Sequence, residues 1–305
     1  MRFLIAGGGG FIGSHLSEKL LKKGHKVVAV DNFCSSSRKN IEGFKEHENF
    51  NVVEEDILNG VSIEGEIDYV LHFASRASPK NYQEHPLHTL RTNTEGTLKM
   101  CRLADNKNAK LLYASTSEVY GDPEKHPQTE DYWGNVNPHG PRSCYDEGKR
   151  AGEATLRSYS EKNNLDYRII RIFNTYGPRM MKNDGRVVTN FMRQAKNGKP
   201  ITVYGDGTQT RSFCYIEDLV AGIIKSTESE NGKVYNLGNP EEHTINELAE
   251  KIKDLTGSDS QIVHRELPQD DPLRRKPDIS KAKRELGWEP ETGLSEGLEK
   301  TLKAF

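Results

Sequence analysis

The chain has 305 residues, 34% of them hydrophobic, enough for one large or two modest domains with a sizeable core. Its formal charge of -2, from 43 Lys and Arg against 45 Asp and Glu, gives no global field for nucleic acid or an anionic membrane; an anionic ligand must meet a local cluster. The four cysteines, Cys34, Cys101, Cys144 and Cys214, are dispersed without CxxC or paired histidines, which argues against a zinc site and a disulfide framework and for a reducing cytoplasm.

MRFLIAG opens as a strand rather than a signal peptide, and no run of ~18 apolar residues follows anywhere, so neither secretion nor a membrane span is expected. Short apolar runs then alternate with helical patterns: RFLIAG, FIGSHLSEKLLKKG, KVVAVD, NFNVVEED, DYVLHFA, TNTEGTLKMCRLADN and AKLLYAS. This rhythm predicts βαβ units and a doubly wound parallel sheet of the Rossmann type. After WGNVNPHGP a helix is expected from about Ser143 to Asn163, and DYRIIRIFN supplies a further strand. From Thr175 onward elements shorten and turn signals multiply. The expected organisation is a nucleotide-binding domain over 1–173 and a smaller substrate-binding domain over 174–305, with segments near 212–238 able to return to the first sheet.

Gly7, Gly10 and Gly13 form a GxxGxxG between the first strand and the first helix. Glycine there lets the backbone turn tightly and approach a pyrophosphate at a helix N-terminus, where unpaired N–H groups and the helix dipole attract the anion. Asp31 ends the second strand, about 20 residues on, where a carboxylate accepts ribose hydroxyls. That order of elements favours NAD over NADP, since Asp31 repels a 2′-phosphate; Arg38 is the nearby residue able to accept one.

In YDEGK, Tyr145 and Lys149 are four apart and share a helix face. The spacing alone fits a surface pair as well as a reactive one. The strand before STSEVYG shifts the balance, because its C-terminal end is where ligands lie in a doubly wound sheet, and Thr116 can complete a Thr–Tyr–Lys set around an alcohol being oxidised. An ammonium beside Tyr145 is expected to favour its phenolate by roughly one to three pKa units, making it a general base. His15 is expected near cofactor phosphates or packed, Cys144 is expected to be inert, and no metal site is expected.

GGGGFIGSH, Asp31, STSEVYG and YDEGK together resemble the extended short-chain dehydrogenase/reductase family, whose members modify nucleotide sugars. The resemblance spans essentially the whole chain. Within it, YWGNVNPHGPRSCYDEGKR, RIFNTYGPRM, NDGRVVTNF, YGDGTQTRSFCYIEDLV, NLGNPEEHTI and DDPLRRKPDI look like the UDP-glucuronate decarboxylase branch. The resemblance implies oxidation of the sugar at C4 by bound NAD, loss of CO2 from the resulting β-keto acid, protonation at C5 and return of the hydride, giving UDP-xylose. It implies cofactor contacts from Gly7, Gly10, Phe11, Ile12, Gly13, Asp31, Asn32, Asp56, Ala74, Tyr145 and Lys149, and catalytic roles for Thr116, Glu118, Tyr145, Lys149 and Arg275. Glu118 is expected near C5 and C6 of the sugar, orienting a water or the ring.

Arg275 reads, by itself, as part of a solvated basic run with Arg274 and Lys276; the resemblance instead assigns it to the sugar carboxylate, which a planar guanidinium suits. Substrate contacts are likewise implied for Asn174, Arg186, Arg211 and Tyr204, with UDP-glucuronate as ligand and a homodimer formed through the helices at Thr94–Asn106 and around Tyr145. One departure is Arg76 in HFASRASP, where relatives commonly carry proline. The alternatives are an NAD-dependent 4,6-dehydratase, which would usually read STDE, a 4-epimerase, which has no use for Glu118, and a non-catalytic NAD-sensing module, which would be expected to lose Tyr145 or Lys149.

Overall fold

The structure, a computed structural model, describes every residue except Asp184, Asp271 and Leu273. Those three lie within the NDGR and DDPLRRKPD segments, so that part of both motifs falls outside the described residues. The centre is a seven-stranded parallel sheet. In chain order its strands are β1 (Arg2–Ala6), β2 (Lys26–Val30), β3 (Phe50–Val53), β4 (Tyr69–His72), β5 (Lys110–Thr116), β6 (Tyr167–Ile172) and β7 (Lys233–Leu237). Their order in space is β7-β6-β5-β4-β1-β2-β3, so the winding reverses between β1 and β4. In such sheets the crevice beyond the strand C-termini at the reversal is where ligands bind.

A strand covered on both faces needs apolar side chains at every position rather than alternate ones. The residues of β1 divide by parity. Phe3 and Ile5 join one core with Leu16, Leu20 and Ile216, while Leu4 and Ala6 join a second with Val70, Met100 and Leu111. Val27 and Ala29 of β2 face the first core, Val28 and Val30 the second, as a period of two requires. The two cores are the two helical layers packed against the sheet.

The C-terminal region returns to this sheet once, through helix Ile216–Thr227 and β7, which pairs in register with β6 from Lys233↔Arg168 to Leu237↔Ile172. The rest forms small sheets. Strand Thr210–Ser212 lies between Glu242–Thr244 and Arg274–Arg275, with Arg211 opposite both His243 and Arg275. Ile201–Tyr204 pairs with Ile262–Arg265. Helix Ile245–Thr256 starts at a reciprocal cap: Thr244 Oγ1 accepts the Glu247 N–H at 3.0 Å, and Glu247 Oε2 accepts the Thr244 N–H at 2.8 Å. Among the described residues, no helix is long and apolar enough to cross a membrane.

Candidate active site

The glycine turn sits directly beyond β1. Gly7 has φ of +84°, and a Cβ there would stand 2.8 Å from Ala74 N, so the position needs glycine for both conformation and space. At Gly13, in the first turn of helix Phe11–Lys22, a Cβ would stand 2.1 Å from Gly7 O. Helix and turn therefore approach at backbone contact, which leaves the first helical N–H groups facing the space above the sheet.

Asp31 closes the other side of this space. Its carboxylate accepts the Gly9 N–H at 2.9 Å, the Phe33 N–H at 2.8 Å and the Ser36 hydroxyl at 2.9 Å, yet burial outweighs these donors and pushes its pKa up. Asp56 accepts from Asn32 Nδ2 at 2.7 Å and contacts His88 Nε2 at 2.9 Å. Burial works against its charge, but these hydrogen bonds prevail and hold its pKa low.

The resulting cleft has about 1070 Å³ of empty volume including its open mouth, and its lining contains Gly7, Gly10, Phe11, Ile12, Gly13, Asp31, Asn32, Asp56, Ala74 and Arg186. The backbone cradle, the carboxylate at the end of β2 and the polar shelf of Asn32 and Asp56 fit a dinucleotide. Arg38 is directed elsewhere: it pairs with Glu54, and its guanidinium lies 4.5 Å over the Phe33 ring. His15 is packed, with Nε2 3.0 Å from Pro178 O, and burial lowers its pKa to about 4.

The second group of residues gathers at the end of β5. Thr116 caps the short turn Ser117–Tyr120, accepting the Glu118 N–H at 3.3 Å. Helix Ser143–Asn163 presents Tyr145 and Lys149 toward the same strand, with Lys149 Nζ donating to Ala114 O at 2.7 Å. This helix packs tightly: a Cβ on Gly152 would stand 2.1 Å from the Tyr113 hydroxyl. Tyr145 is buried and stacks on Tyr82 with ring centroids 5.1 Å apart.

Here the electrostatics correct an expectation. The Tyr145 phenol is not shifted toward phenolate; burial pushes its pKa well up, the charge of Glu118 adds to this, and a hydrogen bond with Thr116 and the charge of Arg186 offset only part. Lys149 cannot supply the anticipated shift because burial lowers its own pKa to about 7, against a smaller opposing effect of Glu153. The ammonium lies 5.9 Å from the Tyr145 ring centre, nearer the ring of Tyr113 at 4.8 Å.

Glu118 answers why a carboxylate should follow a buried strand. It is clamped between two guanidinia, Arg142 Nη2 on one oxygen and Arg275 Nη1 on the other. Burial opposes its ionisation, but Arg275 and Arg142 dominate and hold the carboxylate ionised. Arg275 is 3% exposed, so the basic run Arg274–Lys276 is not simply solvated; pairing with strand Thr210–Ser212 turns Arg275 inward, where Nη2 donates to Gly121 O at 3.1 Å.

Arg142 and Asp146 join this cluster and were not anticipated. Arg142 Nε lies 3.6 Å from Asp146 Oδ2. Burial, followed by the Glu118 charge, raises the Asp146 pKa, and its Oδ1 is buried without a partner. The signal was present in PRSCYDEGK, where Arg142 precedes Tyr145 by one helical turn and pairs with Asp146 at i,i+4. Tyr82, whose hydroxyl is also buried and unpartnered, had no comparable signal.

Of the expected substrate residues, Arg186 reaches the cleft at the N-terminus of helix Val187–Lys196, and Arg211 is buried beside Arg275. Asn174 is half-buried, its carbonyl accepting the Cys214 N–H at 2.9 Å. Tyr204 is exposed on the separate Ile201–Tyr204 strand and does not line the cleft.

The sequence profile of the family described as GDP-mannose 4,6 dehydratase matches residues 4–301. The chain belongs to this family of extended short-chain dehydrogenase/reductases. It is 54% identical over 304 residues to the UDP-glucuronic acid decarboxylase 1 of Danio rerio, covering 100% of this chain and 72% of that protein. Among solved structures, a UDP-glucuronic acid 4-epimerase from Bacillus cereus in complex with UDP-glucuronic acid and NAD superposes with TM-score 0.89 at 28% identity, covering 100% of this chain and 98% of the other. A dTDP-glucose 4,6-dehydratase from Streptomyces venezuelae with NAD bound gives TM-score 0.91 at 27% identity, covering 99% and 96%. NAD is the cofactor that the family fold supports.

Proposed function

We propose that this family member is an NAD-dependent UDP-glucuronate decarboxylase that forms UDP-xylose through a 4-keto intermediate. The observation that carries this reading is the pair of buried guanidinia at the end of β5. Arg275, turned inward by its strand pairing, and Arg142 both reach Glu118 beside Thr116. A guanidinium there has a carboxylate to orient in a uronate and none in a neutral hexose.

Gly7, Gly10, Phe11, Ile12, Gly13, Asp31, Asn32, Asp56 and Ala74 would hold NAD, which would supply the hydride acceptor and donor for sugar C4. Thr116 and Tyr145 hold the C4 oxygen by hydrogen bonds. To take the 4-hydroxyl proton Tyr145 must first be a phenolate, which the positive nicotinamide ring would favour against the burial that keeps it neutral, and it later gives the proton back, with Lys149 one helical turn away. With C4 as a carbonyl, the C6 carboxylate belongs to a β-keto acid, and breaking C5–C6 sends its electron pair toward the C4 oxygen. The developing oxyanion is stabilised by the same two hydroxyls. Arg275 orients the carboxylate so that C5–C6 stands across the carbonyl plane, and Glu118 fixes Arg275. Arg186, Arg211 and Asn174 serve the UDP moiety, while Tyr204 lies apart from them.

A 4,6-dehydratase would need Glu118 as a base at C5. A carboxylate clamped by two arginines is a weak base, which favours decarboxylation. We also read residues 1–173 as the cofactor domain and 174–305 as the sugar-nucleotide domain, the chain as a homodimer through helices Thr97–Asn106 and Ser143–Asn163, and its setting as the cytoplasm. A monomeric mass by light scattering would refute the dimer.

The test is to incubate the protein with NAD and UDP-glucuronate and follow the sugar by proton NMR. UDP-xylose without net NADH is the expected outcome. Unchanged UDP-glucuronate with NAD bound would instead favour a non-catalytic NAD-binding module.

A further inference from the structure

Arg76 lies in the loop after β4 and is 8% exposed. It lines the dinucleotide cleft with Asp31, Asn32 and Ser35. Nη1 donates to Cys34 O at 3.2 Å and to Asn81 Oδ1 at 2.9 Å, both neutral acceptors, whereas Nε is buried with no partner. Among the described residues no carboxylate lies within ion-pairing distance of this guanidinium. A buried cation without an anion is costly, and a guanidinium fork is shaped to meet a phosphate. The missing anion is therefore to be sought in the ligand of the cleft.

Position narrows the choice. Ala74, two residues before Arg76, abuts the glycine turn at Gly7, and Cys34, to which Arg76 bonds, follows closely on Asp31. The guanidinium thus bridges the rim over the glycine turn and the rim beside the ribose carboxylate. A dinucleotide seated with its pyrophosphate at the glycine turn and a ribose at Asp31 would pass between those rims.

Resting on the NAD reading above, we propose that Arg76 binds the cofactor pyrophosphate and, through Cys34, latches the loop after β4 to the loop after β2 across the bound dinucleotide. Such a latch suits a reaction in which the cofactor must remain bound between two half-reactions. A 2′-phosphate is the other phosphate that could reach this rim, but it would meet Asp31, whose carboxylate already occupies the ribose edge.

The test is calorimetric binding of NAD, ADP-ribose, NADP and adenosine to the unmodified protein, Arg76→Met and Arg76→Lys. Loss of a charge-assisted contact should weaken NAD and ADP-ribose by about 10- to 100-fold in Arg76→Met and leave adenosine unchanged. Arg76→Lys, which keeps the charge and guards against loss of the fold, should fall between the two. Equal NAD affinity in all three proteins would overturn the inference, as would an equal loss for adenosine and ADP-ribose, which is the mark of a packing role. NADP weakening while NAD holds would move the anion to the 2′ position and overturn the pyrophosphate assignment. Unmodified protein that binds none of the four would overturn the NAD reading itself, and Arg76 with it.

Discussion

At the end of β1 the cleft is built around a glycine turn and a carboxylate, Gly7 to Asp31, that lie within one βαβ unit, with Asn32, Asp56, Ala74 and Arg76 around them, whereas at the end of β5 the groups that gather are side chains drawn from positions as far apart as Thr116 and Arg275. The first region is set by local geometry: Gly7 and Gly13 have no room for a Cβ, and Asp31 is fixed by three donors. The second depends on burial and mutual charge. Glu118 is ionised because Arg142 and Arg275 clamp it, while Tyr145, Lys149 and Asp146 are each driven toward their neutral forms. On the proposed reading binding and chemistry are separable, and substitutions in one region should leave the other largely intact.

The largest effect is expected from Tyr145→Phe, which removes the proposed proton carrier but keeps the ring stacked on Tyr82. Turnover should fall by about 10²–10⁴-fold while NAD affinity changes little. Steady-state kinetics beside calorimetry would check this, and a parallel loss of NAD affinity would break the separation. Asp31→Asn is the converse: NAD should bind about 10- to 100-fold more weakly as charge-assisted bonds are lost, NADP should lose less, and turnover at saturating NAD should persist. Titration with both dinucleotides tests that ranking.

The smallest effect concerns Lys149. Its pKa is about 7 in the fold and about 10.4 in an unfolded chain, so between these values the unfolded state binds more protons. Stability therefore gains from this group as pH rises through that window and loses the gain as pH falls toward 7. Melting curves of Lys149→Met against the unmodified protein should diverge by a few degrees across the window, and superimposable pH profiles would contradict the buried, depressed ammonium.

The same contrast governs what the sequence made legible. Near-continuous apolar runs such as FLIA and VVAV announce strands covered on both faces, and the spacing from the glycines to Asp31 is set by one βαβ unit, so both can be read locally. Arg275 could not be read as buried from RRK alone, because its inward turn comes from pairing with Thr210–Ser212 more than 60 residues away. Arg142 and Asp146 were readable as a helical pair but not as partners of Glu118, which lies on another element. The direction of the Tyr145 shift is not legible from helical spacing, which reports proximity to Lys149 and says nothing of the burial that outweighs it.

In the proposed reaction one bound cofactor would take hydride from C4 and return it to C4 around the loss of C6. The most direct measurement supplies UDP-glucuronate deuterated at C4, with catalytic NAD, and locates the label in the product by NMR. The expected product is UDP-xylose retaining deuterium at C4, with a solvent-derived proton at C5. UDP-xylose that has lost the C4 label, or a product that keeps its C6 carbon, would contradict it.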